Sequence, residues 1–121
     1  MTRRIERLVD CEPRWVDDVS GVFCYVHFRC PEGHDGCWHT IPFVPALSGP
    51  TQSFPHAYWH RVGDTFETLT LTPSIRRYPT YANREAALAA GCLPEYVEES
   101  MFCKMHVNLV DGVFQFCGDS G

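Results

Sequence analysis

The chain has 121 residues, 45% of them hydrophobic and 21% charged, and a formal net charge of −5 from 15 acidic and 10 basic residues. That length suits one hydrophobic core and so one domain, residues 1–121, and the acidic balance argues against nucleic acid or an anionic membrane as a partner. No apolar run approaches the roughly 20 residues that cross a bilayer, and the opening MTRRIERLVD lacks the apolar stretch of a signal peptide, so a soluble cytoplasmic protein is expected.

The first extended segment is GVFCYVHF, Gly21–Phe28, whose aromatic and β-branched residues suit a buried strand. It runs into CPEGHDGCWH, Cys30–His39, where Pro31, Gly33, Asp35 and Gly36 favour a knuckle-like loop. TIPF then reads as a short strand, and VPALSGPTQSFP, Val44–Pro55, as a surface loop rich in proline. Extended structure resumes at AYWHRV. Beyond Gly63–Asp64, TFETLTLTPSI alternates Phe66, Leu69 and Leu71 with threonine and glutamate, which predicts a strand ended by Pro73 and a hairpin between 56–62 and 65–71.

NREAALAA, Asn83–Ala90, has a capping asparagine and is followed by Gly91, so it predicts a short helix, with LPEYVEES extending the helical span to about residue 100. In CKMHVNLVDGVFQFC two apolar runs flank Asp111–Gly112, a strong two-residue hairpin signal. The predicted class is mostly β (α+β), small antiparallel sheets or one bent sheet with a helical insertion at about 83–100.

The seven cysteines, Cys11, Cys24, Cys30, Cys37, Cys92, Cys103 and Cys117, cannot all pair within the chain, and a reducing compartment keeps thiols free. Cys30, His34 and Cys37 share one loop, Cys103 and His106 form a C-x-x-H pair, and Cys117 closes the last hairpin. A tetrahedral ion needs four N or S donors, commonly two from a turn and two from a distant hairpin, and this donor set suits zinc. Cys30, His34, Cys103 and His106 are the first-choice ligands, with Cys37 and Cys117 as substitutes. The competing reading has Cys37, Cys103 and Cys117 as buried thiols packed beside strands.

For a catalytic metal, an open coordination position and a carboxylate base are required, and Glu32 is the nearest such carboxylate, with Asp35 second. No H-E-x-x-H, nucleobase-deaminase motif, P-loop or G-x-S-x-G occurs, which argues against the familiar enzyme classes. His39, His56 and His60 are weaker metal or acid–base candidates. Phe54, Tyr58, Trp59, Tyr78 and Tyr81 are candidates for a binding patch or for core, and Arg76–Arg77–Tyr78 for an anion contact.

The segments CPEGH (from Cys30), LTLTPSI (Leu69–Ile75) and CKMHVNLVDGVFQFC (Cys103–Cys117) resemble three signature blocks of a small metal-binding family of unknown function. That family is common in tailed bacteriophages and occurs beside bacterial ubiquitin-like conjugation operons; some members carry the label "ammonia monooxygenase". Its blocks are a C-x-C-G-C loop, T-L-x-P-S, and C-x-S-H leading into strand, turn and strand. Cys30, Gly33 and His34 align with the loop, Glu32 departs from its middle cysteine, Cys37 compensates, and Cys103 and His106 match the C-x-x-H, with Cys117 following.

The resemblance covers roughly 22–75 and 101–117, about 70 residues, and leaves 76–101 as an insertion where a partner surface would be added. It implies a zinc-bearing, phage-type accessory protein of the host cytoplasm that binds a host protein, counter-defence included. The alternatives are a small metal-dependent hydrolase or lyase with an open zinc position, and a virion component.

Overall fold

The structure, a computed structural model, describes residues 4–34, 37–51, 54, 57–76, 89 and 103–121. The expected helical insertion at about 83–100 therefore lies outside the described residues, apart from Ala89, whose backbone is helical.

Among the described residues a 3-10 turn at Leu8–Cys11 precedes seven strands: β1 Arg14–Asp17, β2 Phe23–Arg29, β3 Trp38–Val44, β4 Trp59–Val62, β5 Thr70–Ile75, β6 Val107–Val110 and β7 Val113–Phe116. They form one curled, mostly β sheet in simple sequence order, β1 to β7. All neighbours are antiparallel except β3 and β4, which run parallel across the proline-rich connection. The chain before the 3-10 turn runs against β7, with a bridge between Arg7 and Val113, and Phe114 N donates to Glu6 O at 2.6 Å. Across the curl Phe28 of β2 meets Phe114 of β7 with ring centroids 5.5 Å apart.

Strand alternation sets the core. In β2 Cys24, Val26 and Phe28 face inward between half-buried or exposed neighbours, and Cys30 continues the inward row. In β3 His39, Ile41 and Phe43 are inward. Leading into and along β6, Cys103, Met105, Val107 and Leu109 are buried while the even-numbered residues between them are half-buried or exposed. On the outer face His27 stacks on Trp38 at 5.0 Å and shares a hydrogen bond of 2.8 Å with Thr40.

Two local expectations change. β4 does pair antiparallel with the next strand, but that strand begins at Thr70 rather than Thr65, in the register Val62↔Thr70. The threonines before it build a turn instead: Thr65 and Thr68 share a hydroxyl hydrogen bond of 2.7 Å, and Thr68 N donates to Thr65 O at 3.3 Å. Pro73 does not end β5 either. It sits where the β5–β6 pairing is irregular, between Leu71↔Leu109 and Ile75↔Val107, so its missing N–H interrupts no regular ladder.

The Asp111–Gly112 hairpin forms as expected, with φ of 47° and 71° at the two turn residues, the signs that a primed turn needs. Gly112 is also tightly enclosed. A Cβ there would lie 2.5 Å from Phe66 O, and its own N–H donates to Leu69 O at 2.9 Å.

Candidate metal centre

Three cysteines and one histidine converge inside the curl: Cys30, Cys37, His39 and Cys103, all buried, with one donor atom from each within 4.8 Å of the others. β2 ends at Arg29, and Cys30 N donates to Cys37 O at 2.8 Å, so the two cysteines face each other across the mouth of the β2–β3 loop. The loop curls because Gly33 adopts φ 84°, and its N–H donates to Cys30 O at 3.0 Å. His39 is two residues beyond Cys37 in extended chain and therefore shares its face. Cys103 arrives from the far side of the 77–102 span, one phase of alternation with Met105 and Val107.

The spacing fits a single tetrahedral ion. Bonds of about 2.3 Å to sulfur and 2.0–2.1 Å to nitrogen set S···S edges of about 3.8 Å and S···N edges of about 3.5–3.6 Å. Cys30 Sγ lies 3.6 Å from Cys103 Sγ, and His39 Nε2 lies 3.5 Å from both Cys37 Sγ and Cys103 Sγ. The other ring nitrogen, His39 Nδ1, is buried without a hydrogen-bond partner among the described residues. An imidazole so placed costs about 1–3 kcal/mol, which coordination through Nε2 offsets, since structural zinc is worth about 10–16 kcal/mol in finger peptides.

The three thiols also act strongly on one another. The Cys103 thiol is driven far below its ordinary range by hydrogen bonds from Cys30, then Cys37, with His39 contributing. The same bond to Cys103 pushes Cys30 up to about 12, with burial adding, and Cys37 is raised by its bonds to Cys103 and Cys30 and by burial. Three thiolates this close repel one another unless a dication sits between them.

The remaining expected ligands are placed as follows. His34 stands beside the cluster, its Nδ1 3.7 Å from Cys30 Sγ, in position to donate to that sulfur. Both nitrogens of His106 are engaged elsewhere: Nδ1 lies 2.6 Å from Asp119 Oδ1 and Nε2 lies 3.0 Å from Ser74 Oγ. Cys117 N donates to His106 O at 2.9 Å, placing Cys117 across from His106, and Asn108 Nδ2 reaches Cys117 Sγ at 3.7 Å. Thus the structure brings Cys30, Cys37 and Cys103 together with His39, while His34, His106 and Cys117 stand outside the four-atom cluster.

Glu32 is 4% exposed and its carboxylate is fully engaged. Arg4 Nε donates to Oε1 at 2.7 Å and Ser120 Oγ donates to Oε2, while Arg4 also donates to Ser120 O at 3.1 Å. The loop glutamate thereby ties the residues before the 3-10 turn to those after β7. Arg76, considered for an anion contact, pairs with Asp119 at 3.1 Å. Trp59 is core, its indole N–H donating to Ser74 O at 3.2 Å, whereas Phe54 and Tyr58 lie on the outer face; Tyr78 and Tyr81 lie outside the described residues. Among the described residues no helix is long and apolar enough to cross a membrane.

Compared with protein-family models, curated proteins and solved structures, the chain finds no match in any of the three.

Proposed function

We propose that Cys30, Cys37, His39 and Cys103 bind one zinc ion in a structural role, and that the domain built around it is a phage-type accessory protein engaging a host protein. One observation carries the metal reading: four buried donors at tetrahedral spacing, two from the ends of the β2–β3 loop, one from β3 and one from a distant segment. Four protein donors fill the coordination of zinc and leave no position for a reacting water. The nearest sequence candidate for a base, Glu32, has both oxygens held by Arg4 and Ser120, which favours the structural reading over a metal-dependent hydrolase or lyase.

The partner reading rests on the resemblance and on the outer face. There Tyr25, Phe54, Tyr58 and His60 form a row with centroid spacings of 5.7, 5.8 and 6.0 Å, and Tyr58 is 40% exposed. Aromatic side chains of this kind supply contact area at low entropic cost.

The test of the metal is elemental analysis of protein purified without added metal, with one zinc per chain expected. A soluble, cooperatively folded, metal-free chain would overturn the centre. For the surface, capture from host lysate with the parent chain and with Tyr58→Ala should differ in the same specific band; identical capture by both removes the aromatic row from the interface.

A further inference from the structure

Away from the metal, Ser74, His106 and Asp119 form a chain of two hydrogen bonds. His106 Nδ1–H donates to Asp119 Oδ1 at 2.6 Å, and Ser74 Oγ lies 3.0 Å from His106 Nε2. The three residues come from β5, the approach to β6 and the segment after β7, so only the fold unites them. Both distances lie within the roughly 2.6–3.2 Å reach of a nucleophile and its base. A carboxylate on Nδ1 fixes the ring proton there and turns the lone pair of Nε2 toward the hydroxyl.

Three features hold this arrangement in place. Ser74 lies in the irregular stretch of β5, between the Leu71↔Leu109 and Ile75↔Val107 pairs, the kind of interruption that re-aims a side chain. Trp59 fixes the Ser74 peptide through its carbonyl, and His106 N donates to Ser120 Oγ at 2.9 Å, which sets the backbone of the histidine. Arg76, two residues beyond Ser74, bonds the other oxygen of Asp119 at 3.1 Å and so helps to orient the carboxylate. The histidine side chain is 21% exposed and Ser74 is half-buried, so a reactant can approach the hydroxyl.

We infer that Ser74 is a nucleophile with His106 as its general base and Asp119 as the positioning residue, and that the site accepts an activated acyl group, a carboxylic ester or thioester. Ser74 Oγ attacks the carbonyl carbon and its proton passes to His106 Nε2. Collapse of the tetrahedral intermediate breaks the C–O or C–S bond, and the leaving group takes that proton. A water deprotonated by the same nitrogen then cleaves the acyl-serine, releasing the acid and restoring the hydroxyl. Neither the metal nor any redox partner takes part.

The full chain, with its metal as purified, is incubated with a fluorophosphonate and separately with p-nitrophenyl acetate. One phosphonyl adduct on the Ser74 peptide is expected, with ester hydrolysis lost in Ser74→Ala and both reactions slowed about 100-fold or more in His106→Gln. Asp119→Asn should also slow both, and Asp119→Glu, which restores an acceptor for Nδ1–H, should recover most of the rate; a contact that merely steadied the fold would not show that recovery in rate at unchanged melting temperature. Zinc content and far-ultraviolet circular dichroism confirm that each variant is folded, and the solvent-facing Asp119 pair supplies the comparison should His106→Gln fail to fold. Absence of an adduct at Ser74, or an adduct formed at the parental rate in the Asp119→Asn and His106→Gln variants, overturns the assignment.

Discussion

Cys103 and His106 stand three residues apart in one C-x-x-H segment, yet they serve regions of different physical character. Cys103 enters a sealed cluster of four donors, where charge is tolerable only if a cation balances it. His106 enters a half-exposed polar chain with Ser74, Asp119 and Arg76, where water screens each charge and each bond is individually weak. Stability should therefore hang on the first region, and chemistry at the surface on the second.

The sharpest way to break that contrast is to remove one donor on each side. Cys103→Ser should lose zinc and fail to fold, because a structural zinc worth about 10–16 kcal/mol matches or exceeds the roughly 5–15 kcal/mol net stability of a whole domain. His106→Gln should stay soluble with zinc bound. Elemental analysis and thermal melts of the two proteins check this, and equal metal loss in both would return His106 to the metal centre.

A narrower cut compares the two histidines near the cluster. His39→Gln should abolish stoichiometric zinc. His34→Gln, which removes only a neighbour of the Cys30 sulfur, should keep the ion but weaken its affinity by about 10–100-fold, as measured by chelator competition.

Next in size is the tie through Glu32. Glu32→Gln leaves Arg4 facing a neutral amide in place of a carboxylate; since the Arg4 side chain is 50% exposed, water compensates in part, and a loss of about 1–2 kcal/mol is expected from denaturant melts.

The apolar core and the exposed polar chain should also answer pH from opposite ends. Burial, with Asp10 adding, pushes the Cys11 thiol in the core up to about 12 from an ordinary 9.0. Its contribution to stability is whole below pH 9.0 and declines as pH rises toward about 12, because the unfolded chain ionises first. Asp119 is held below the usual carboxylate range by its bond to His106, so its contribution is present above that range and is lost as pH falls through its lowered value. Melting temperature against pH should accordingly fall at alkaline pH in the parent and less steeply there in Cys11→Ala, whereas Asp119→Asn should alter only the acid side, by the smallest shift of this series.

Much of the fold was legible because alternation and turn chemistry are local. The β2 row Cys24, Val26, Phe28 and the Asp111–Gly112 turn follow directly from residue types. β5 was less so, since threonines suit a sheet face and a side-chain-capped turn equally, and only the pairing with β4 decides between them. β1, a four-residue strand whose two apolar residues, Trp15 and Val16, are adjacent rather than alternating, carries too little pattern to be seen.

The candidate metal centre was half legible. Three of its four donors stood among the favoured sequence candidates, and the fourth, His39, ranked there only as a weaker one although it had a signal in plain view: Cys37-x-His39 at the start of a strand puts both side chains on one face. The same parity separates Cys103 from His106, because an odd spacing in extended chain points them to opposite sides. Motif spacing taken from turns favours His106, whereas strand spacing favours His39.

The alternation of Cys103, Met105, Val107 and Leu109 has a last consequence. Sliding this segment by a single residue would expose its apolar row and offer imidazole where a thiolate belongs. An ion bound there, by demanding that one sulfur at that one depth, would act as a proofreader of strand register as well as a clamp.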